Sequence, residues 1–169
     1  MIDLKRHIVD VPDFPRPGIL FRDITPLLRM QFQPTIDALE RLLNAEEWSR
    51  VDAVAGVESR GFILAAALAA RRGKGFVPIR KQGKLPPPVV DMKYTLEYGT
   101  GILEMQRGDG RLLLVDDVLA TGGTMRAAAE LCGYAGYEVE ALVALIDLRL
   151  AGTPFIWRTH ALRYVIDYV

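Results

Sequence analysis

Apolar and polar positions change their period several times along the chain, and each change marks an element. Residues 12–26 are rich in proline and polar side chains, which predicts an N-terminal loop. Ile36, Leu39, Leu42 and Leu43 recur at helical spacing, which predicts a helix over Thr35–Trp48. Val51–Val57 is a short apolar run that reads as a buried strand. Phe62–Arg72 is alanine-rich and free of Gly and Pro, so a second helix is expected, stopped by Gly73 and Gly75. Phe76–Ile79 reads as the next strand. Gln82–Tyr98 contains the run Pro86–Pro88 and then mixed polarity. Leu112–Val115 is an aliphatic run leading into Asp116 and Asp117, a strong signal for a buried strand. Thr124–Tyr134 is helical in pattern, with Ala127, Leu131 and Tyr134 on one side, and Val139–Ile146 is a further strand.

Strands alternating with helices imply an α/β fold: a central, mostly parallel sheet flanked by helices. Ligands bind such sheets beyond the carboxyl ends of the strands. Two strand ends here carry chemistry, Glu58-Ser59-Arg60-Gly61 and Asp116 to Thr124. In the second, Gly122 and Gly123 let the backbone approach a ligand closely. Free N–H groups at the following helix start, with the helix dipole, form a phosphate cradle. Thr121 and Thr124 can add hydroxyl donors. The acidic pair suits sugar hydroxyls or a nearby magnesium ion. The same residues would serve an ordinary βα turn with Asp117 or Thr121 as helix cap; the acidic pair directly after the aliphatic run favours the cradle. No Lys follows the glycines, so the loop is not of the Walker type, and no GxGxxG fingerprint is present.

Length and composition narrow the class. A chain of 169 residues, half of them hydrophobic, fits one domain with one sizeable core. Basic and acidic residues balance at 21 each, which argues against a dedicated nucleic-acid binder. Cys132 stands alone, so no intrachain disulfide is expected and a reducing compartment is the natural reading. The beginning of the chain lacks the apolar run of a signal peptide, and Arg71 and Arg72 close the apolar stretch Phe62–Ala70 early. These features predict a soluble, cytoplasmic protein that does not enter a membrane. His7 and His160 are isolated, without metal-ligand spacing.

Val115–Thr124 resembles the phosphoribosyl pyrophosphate signature of the type I phosphoribosyltransferases, and its form VDDVLATGGT is closest to the adenine-specific branch. The resemblance extends over nearly the whole chain. Asp13–Pro15, Pro17–Ile24 and Pro26 resemble the family's N-terminal hood. Gly56–Phe62 resembles its pyrophosphate loop, Ile79–Pro86 its basic segment, and Tyr94–Gly99 its flexible catalytic loop. The resemblance implies a single domain over residues 1–169, with a hood over 1–30 and a sheet core over 31–169 that carries a flexible loop at about 86–106. It implies transfer of the phosphoribosyl group to adenine, with magnesium carried by the pyrophosphate.

The resemblance also implies roles. Ala120, Thr121, Gly122, Gly123 and Thr124 would hold the 5′-phosphate, with Asp116 and Asp117 near the ribose hydroxyls. Glu58 and Ser59, joined in relatives by a cis peptide, would aim backbone groups at pyrophosphate. Arg60, Arg80, Lys81 and Lys84 would compensate its charge, some of them in the neighbouring subunit of a homodimer. The carbonyl and N–H of Leu20 would read the adenine edge, Phe21 would pack on the base, and Arg22 would contact its ring nitrogens. Glu97 would handle the imidazole proton of adenine. Two departures stand out: the connection MQRGDG between Glu104 and Arg111 is short, and Gln82 occupies a place where some relatives carry a basic residue. A sister enzyme for 6-oxopurines would need a donor to the oxygen, and no such motif is evident in the hood. A non-catalytic sensor of phosphoribosyl pyrophosphate usually adds a DNA-binding domain, for which there is no room.

Overall fold

The computed structural model describes residues 2–96 and 99–169. After a short 3-10 helix at Leu4–His7 come β1 (Val9–Pro12), β2 (Leu20–Asp23), α1 (Thr25–Glu40), α2 (Ala45–Arg50), β3 (Ala53–Val57), α3 (Arg60–Arg72), β4 (Gly75–Lys81), β5 (Val90–Leu96), β6 (Gly99–Met105), β7 (Arg111–Leu119), α4 (Gly123–Tyr134), β8 (Glu138–Asp147), β9 (Ile156–Trp157), β10 (His160–Ala161) and β11 (Arg163–Asp167). The main sheet runs β11-β8-β7-β3-β4-β6-β5. It is parallel from β11 to β4, and β6 and β5 add antiparallel at one edge.

Strand periodicity divides the core. Leu113, Val115, Val143 and Leu145 face one side of the sheet, with Leu27, Ile36 and Leu39 of α1 and Leu64 and Leu68 of α3. Leu112, Leu114, Leu142 and Ala144 face the other, against Met125, Ala128, Leu131 and Cys132 of α4. Two-sided burial is why these strands read as continuous apolar runs. At Gly56 a Cβ would lie 2.7 Å from the Ala65 Cβ, so glycine lets α3 pack close to β3.

Two expectations from the sequence need correction. The loop over 12–26 contains β2, which pairs antiparallel with β1, and α1 already begins at Thr25. Pro26 sits in its first turn, where a missing N–H costs nothing. The helix expected over Thr35–Trp48 is two helices: Asn44 starts α2 with a capping box, accepting from the Glu47 amide while its own amide donates to Glu47. Within Gln82–Tyr98, for which the sequence pattern names no element, Val90–Leu96 is a strand of the β5–β6 hairpin.

Candidate active site

The carboxyl ends of β3 and β7 lie side by side, which brings both expected motifs together. Asp116 and Asp117 are buried at the end of β7, where Asp116 Oδ1 accepts from the Asp117 amide at 2.8 Å. Burial first, and then the neighbouring Asp117, push the Asp116 carboxyl well above the ordinary carboxylate range. At Gly61 a Cβ would stand 3.0 Å from Asp116 Oδ1 and 3.1 Å from the Val115 carbonyl. Glycine there lets the start of α3 approach β7. The loop Ala120–Gly122 then opens α4, with Gly122 at φ +91°.

Arg60 ties three segments into one site. Its Nε pairs with Asp117 Oδ2 at 2.6 Å, its Nη1 donates to the Arg22 carbonyl at 3.3 Å, and its guanidinium lies 4.7 Å from the centre of the Phe21 ring. The end of β7, the start of α3 and strand β2 are thus joined by one side chain. The Glu58–Ser59 peptide is cis. Glu58 accepts from the Lys81 amide at 2.7 Å and from Arg80 Nη2 at 3.2 Å. Burial alone would raise its carboxyl; the Lys81 amide and Arg80 outweigh that and hold it below the usual value.

A cavity of about 530 Å³ opens over the cradle, walled by Val118–Met125, Lys81, Thr95, Leu96 and the hood residues Pro15, Arg16 and Ile19. A Cβ on Gly123 would lie 2.9 Å from the Thr95 carbonyl, so β5 lies directly over the start of α4. The hairpin therefore forms the roof of the cavity.

The model of the phosphoribosyl transferase domain family matches residues 30–156. The adenine phosphoribosyltransferase of Hydrogenovibrio crunogenus is 55% identical over 147 residues, covering 86% of each chain. The chain belongs to the adenine phosphoribosyltransferase family. The crystal structure of the Rhodothermus marinus member matches with a TM-score of 0.87 at 42% identity, covering 98% of this chain and 96% of that one. The Saccharomyces cerevisiae member, solved with adenine and an imino-altritol bisphosphate, matches with a TM-score of 0.81 at 37% identity, covering 89% and 90%.

In this phosphoribosyltransferase the expected residues divide into groups. Ala120, Thr121, Gly122, Gly123, Thr124 and Lys81 wall the cavity. Glu58, Arg60, Asp116 and Asp117 stand at the ends of β3 and β7 outside the cavity wall, Arg60 paired with Asp117 and Glu58 with Arg80, and Ser59, exposed, occupies the N-cap position of α3 without a side-chain cap bond. Arg80 is half-buried against Glu58 and the Lys84 carbonyl, while Lys84 is exposed. In the hood, Leu20 stands opposite Pro12, which has no N–H to give to its carbonyl. Phe21 meets Phe14 edge to face at 5.1 Å. The guanidinium of Arg22, expected at the base, lies in this structure against Asp10 and 3.9 Å from the Tyr168 ring centre. Glu97 lies outside the described residues; Leu96 and Gly99 pair on either side of it.

Phe155 and Glu104 are not among the expected residues, and Thr95 is expected only as part of Tyr94–Gly99. Thr95 approaches the start of α4 through its carbonyl, which no side chain signals. Phe155 lies against the loop Ala120–Gly122, 2.6 Å from where a Gly122 Cβ would be, and no local pattern singles it out. Glu104, between Leu103 and Met105, is buried at 3% exposure, and an acid inside an apolar strand was its available signal.

Proposed function

We propose that this site transfers the 5-phosphoribosyl group of phosphoribosyl pyrophosphate to adenine, giving AMP and pyrophosphate. The observation that carries the reading is the single cavity joining a glycine-rich helix start, a basic side chain and the hood. Ala120–Thr124 take the 5′-phosphate on backbone N–H groups and the hydroxyls of Thr121 and Thr124. Asp116 and Asp117 accept from the ribose hydroxyls. Arg60, Arg80, Lys81 and Lys84 face the pyrophosphate, for which a guanidinium fork is suited. Adenine sits under the hood, its amino group donating to the Leu20 carbonyl, its ring nitrogen accepting from the Leu20 N–H, and its face on Phe21. Arg22 serves the base by anchoring this strand to Asp10 and Tyr168.

The imidazole nitrogen of adenine attacks the anomeric carbon as the bond to the pyrophosphate oxygen breaks. The electron pair leaves with pyrophosphate, and the nitrogen's proton passes to the Glu97 carboxylate. The hairpin roof excludes water, which would otherwise hydrolyse the donor. Magnesium favours one or two carboxylates together with substrate phosphates. The ion would be carried by the donor's pyrophosphate; Asp117 is the carboxylate beside the cradle that could approach it, whereas burial holds the Asp116 carboxyl well above the ordinary range. When bound, magnesium neutralises charge on the leaving pyrophosphate. Equimolar AMP and pyrophosphate from adenine and donor is the expected result; consumption of donor without AMP would sink the reading.

The enzyme works as a homodimer, with the basic segment near the partner's site. Ile63 and Phe76 support this, standing 43% and 38% exposed beside the Phe62–Phe76 ring pair. A monomer mass in sedimentation at micromolar concentration would contradict it. Among the described residues no helix is long and apolar enough to cross a membrane. The lone, buried Cys132 supports a cytoplasmic location, which cell fractionation would test.

A further inference from the structure

We infer that Glu104 is a positioning residue for the donor's pyrophosphate, fixing the shape of the turn that follows Arg80 and Lys81 and carries Lys84. The inference rests on the transferase reading above and adds a residue to it. Glu104 lies on β6, directly across the antiparallel pair from Arg80. Its Oε1 accepts from the amides of Lys84 at 2.8 Å and Leu85 at 2.7 Å, and its Oε2 from the amide of Gly83 at 3.1 Å. Three successive N–H groups thus converge on one buried carboxylate.

The turn needs this partner. Gly83 sits at φ +82°, and the chain folds back on itself there. Three amides aimed at one point form a concavity that attracts anions. With Glu104 in place they are satisfied internally, and the turn offers an arriving pyrophosphate its side chains alone. Burial would raise the Glu104 carboxyl, but the amides of Leu85, Gly83 and Lys84, aided by Arg80, hold it below the ordinary value, so it stays ionised at neutral pH.

The contact is relayed to the pyrophosphate loop. The Lys84 carbonyl, set by Glu104, accepts from Arg80 Nη1 at 3.3 Å. Arg80 Nη2 donates to Glu58 Oε1, and Glu58 Oε2 accepts from the Lys81 amide. Glu104 and Glu58 therefore grip the basic segment from its two ends. Glu104 touches neither substrate nor reacting atoms in this arrangement, so its effect passes through Arg80, Lys81 and Lys84.

The test uses Glu104→Gln and Glu104→Asp in the full chain. KM for phosphoribosyl pyrophosphate, KM for adenine, kcat and the melting temperature are measured on each. Gln turns one acceptor into a donor facing the amides; Asp keeps the charge on a shorter arm. Loss of charge-assisted bonds corresponds to about a tenfold change or more. The expected result is a donor KM raised about tenfold in Glu104→Gln, adenine KM within about twofold, and partial recovery in Glu104→Asp. A general structural role would lower the melting temperature and the active fraction while leaving the donor KM of the folded enzyme unchanged. That outcome overturns the inference, and a folded Glu104→Asp with wild-type donor KM does so even if Glu104→Gln does not fold. Failure of the wild-type chain to make AMP would overturn the transferase reading instead.

Discussion

Arg60 and Asp117 meet in a 2.6 Å ion pair across the ends of β3 and β7. The two residues belong to the two motifs proposed to bind opposite ends of the same donor. Their pairing sets the distance between pyrophosphate loop and phosphate cradle before any ligand arrives. A site pre-shaped in this way loses less freedom on binding.

Asp117→Asn should therefore weaken donor binding twice, by loosening Arg60 and by removing a ribose acceptor. Thr121→Ala should weaken it by losing a hydroxyl donor to the phosphate. Each loss of a hydrogen bond to a charged group costs ~1.5–3 kcal/mol, or about ten- to a hundredfold in affinity. Calorimetric titration with the donor checks this, and unchanged affinity in both variants would remove the site from this loop.

Gly122→Ala should damage the same loop through its backbone. A φ of +91° is unfavourable for any residue with a Cβ, and that Cβ would lie 2.6 Å from the Phe155 ring. The conformational part alone is ~1–2 kcal/mol. The expected outcome is a higher donor KM, with partial recovery when Phe155→Ala is added. If the double variant is no better than the single one, the ring is not what the loop rests on.

Much of this was legible in the sequence, and the exceptions share a cause. The cradle could be read because Leu112–Val115, the acidic pair and the glycines are consecutive. The parallel core could be read because its strands are buried on both faces. The start of α1 was hidden because Pro26 reads as a loop residue although a first helical turn tolerates it. The α1–α2 break was hidden because Leu42 and Leu43 continue the apolar pattern past Glu40, and only the Asn44–Glu47 box reveals the restart. Strand β5 was obscured by Pro86–Pro88 just before it. Arg60–Asp117 and Glu104–Gly83 depend on pairings between distant segments, which local pattern does not specify.

Glu97→Gln should lower kcat while leaving donor binding nearly intact. Gln keeps length and polarity but does not take a proton. General acid–base catalysis is worth roughly 10²–10⁴-fold, so the loss should fall in that range. A wild-type kcat across the pH profile would assign the proton to another group.

Acid should reveal the Glu47–Arg163 pair, which braces α2 against β11. The Arg163 side chain first, and then the Asn44 amide, pull the Glu47 carboxyl from 4.5 down to about 2. Arg163 also donates to the Leu42 carbonyl at 2.7 Å. A depressed folded value contributes stability that is fully present above the unfolded pKa and is lost as pH falls through the folded one. The stability gap between wild type and Glu47→Gln should be constant near neutrality and shrink between about pH 4.5 and pH 2. Denaturant unfolding across that window checks it; a gap unchanged at pH 2 would contradict the pair's assigned strength.

The proposed reaction joins phosphoribosyl pyrophosphate to adenine in this cavity. An edge reader made of one residue's C=O and N–H matches the adenine amino group and ring nitrogen. The 6-oxopurines present the opposite hydrogen-bond polarity there, and unpaired buried groups can discriminate by ~10⁴-fold. The most direct measurement is the rate of nucleotide formation by the purified chain with magnesium, donor and, separately, adenine, hypoxanthine and guanine. AMP is expected from adenine, and negligible nucleotide from the other two. No nucleotide from adenine, or hypoxanthine and guanine used as well as adenine, would contradict it.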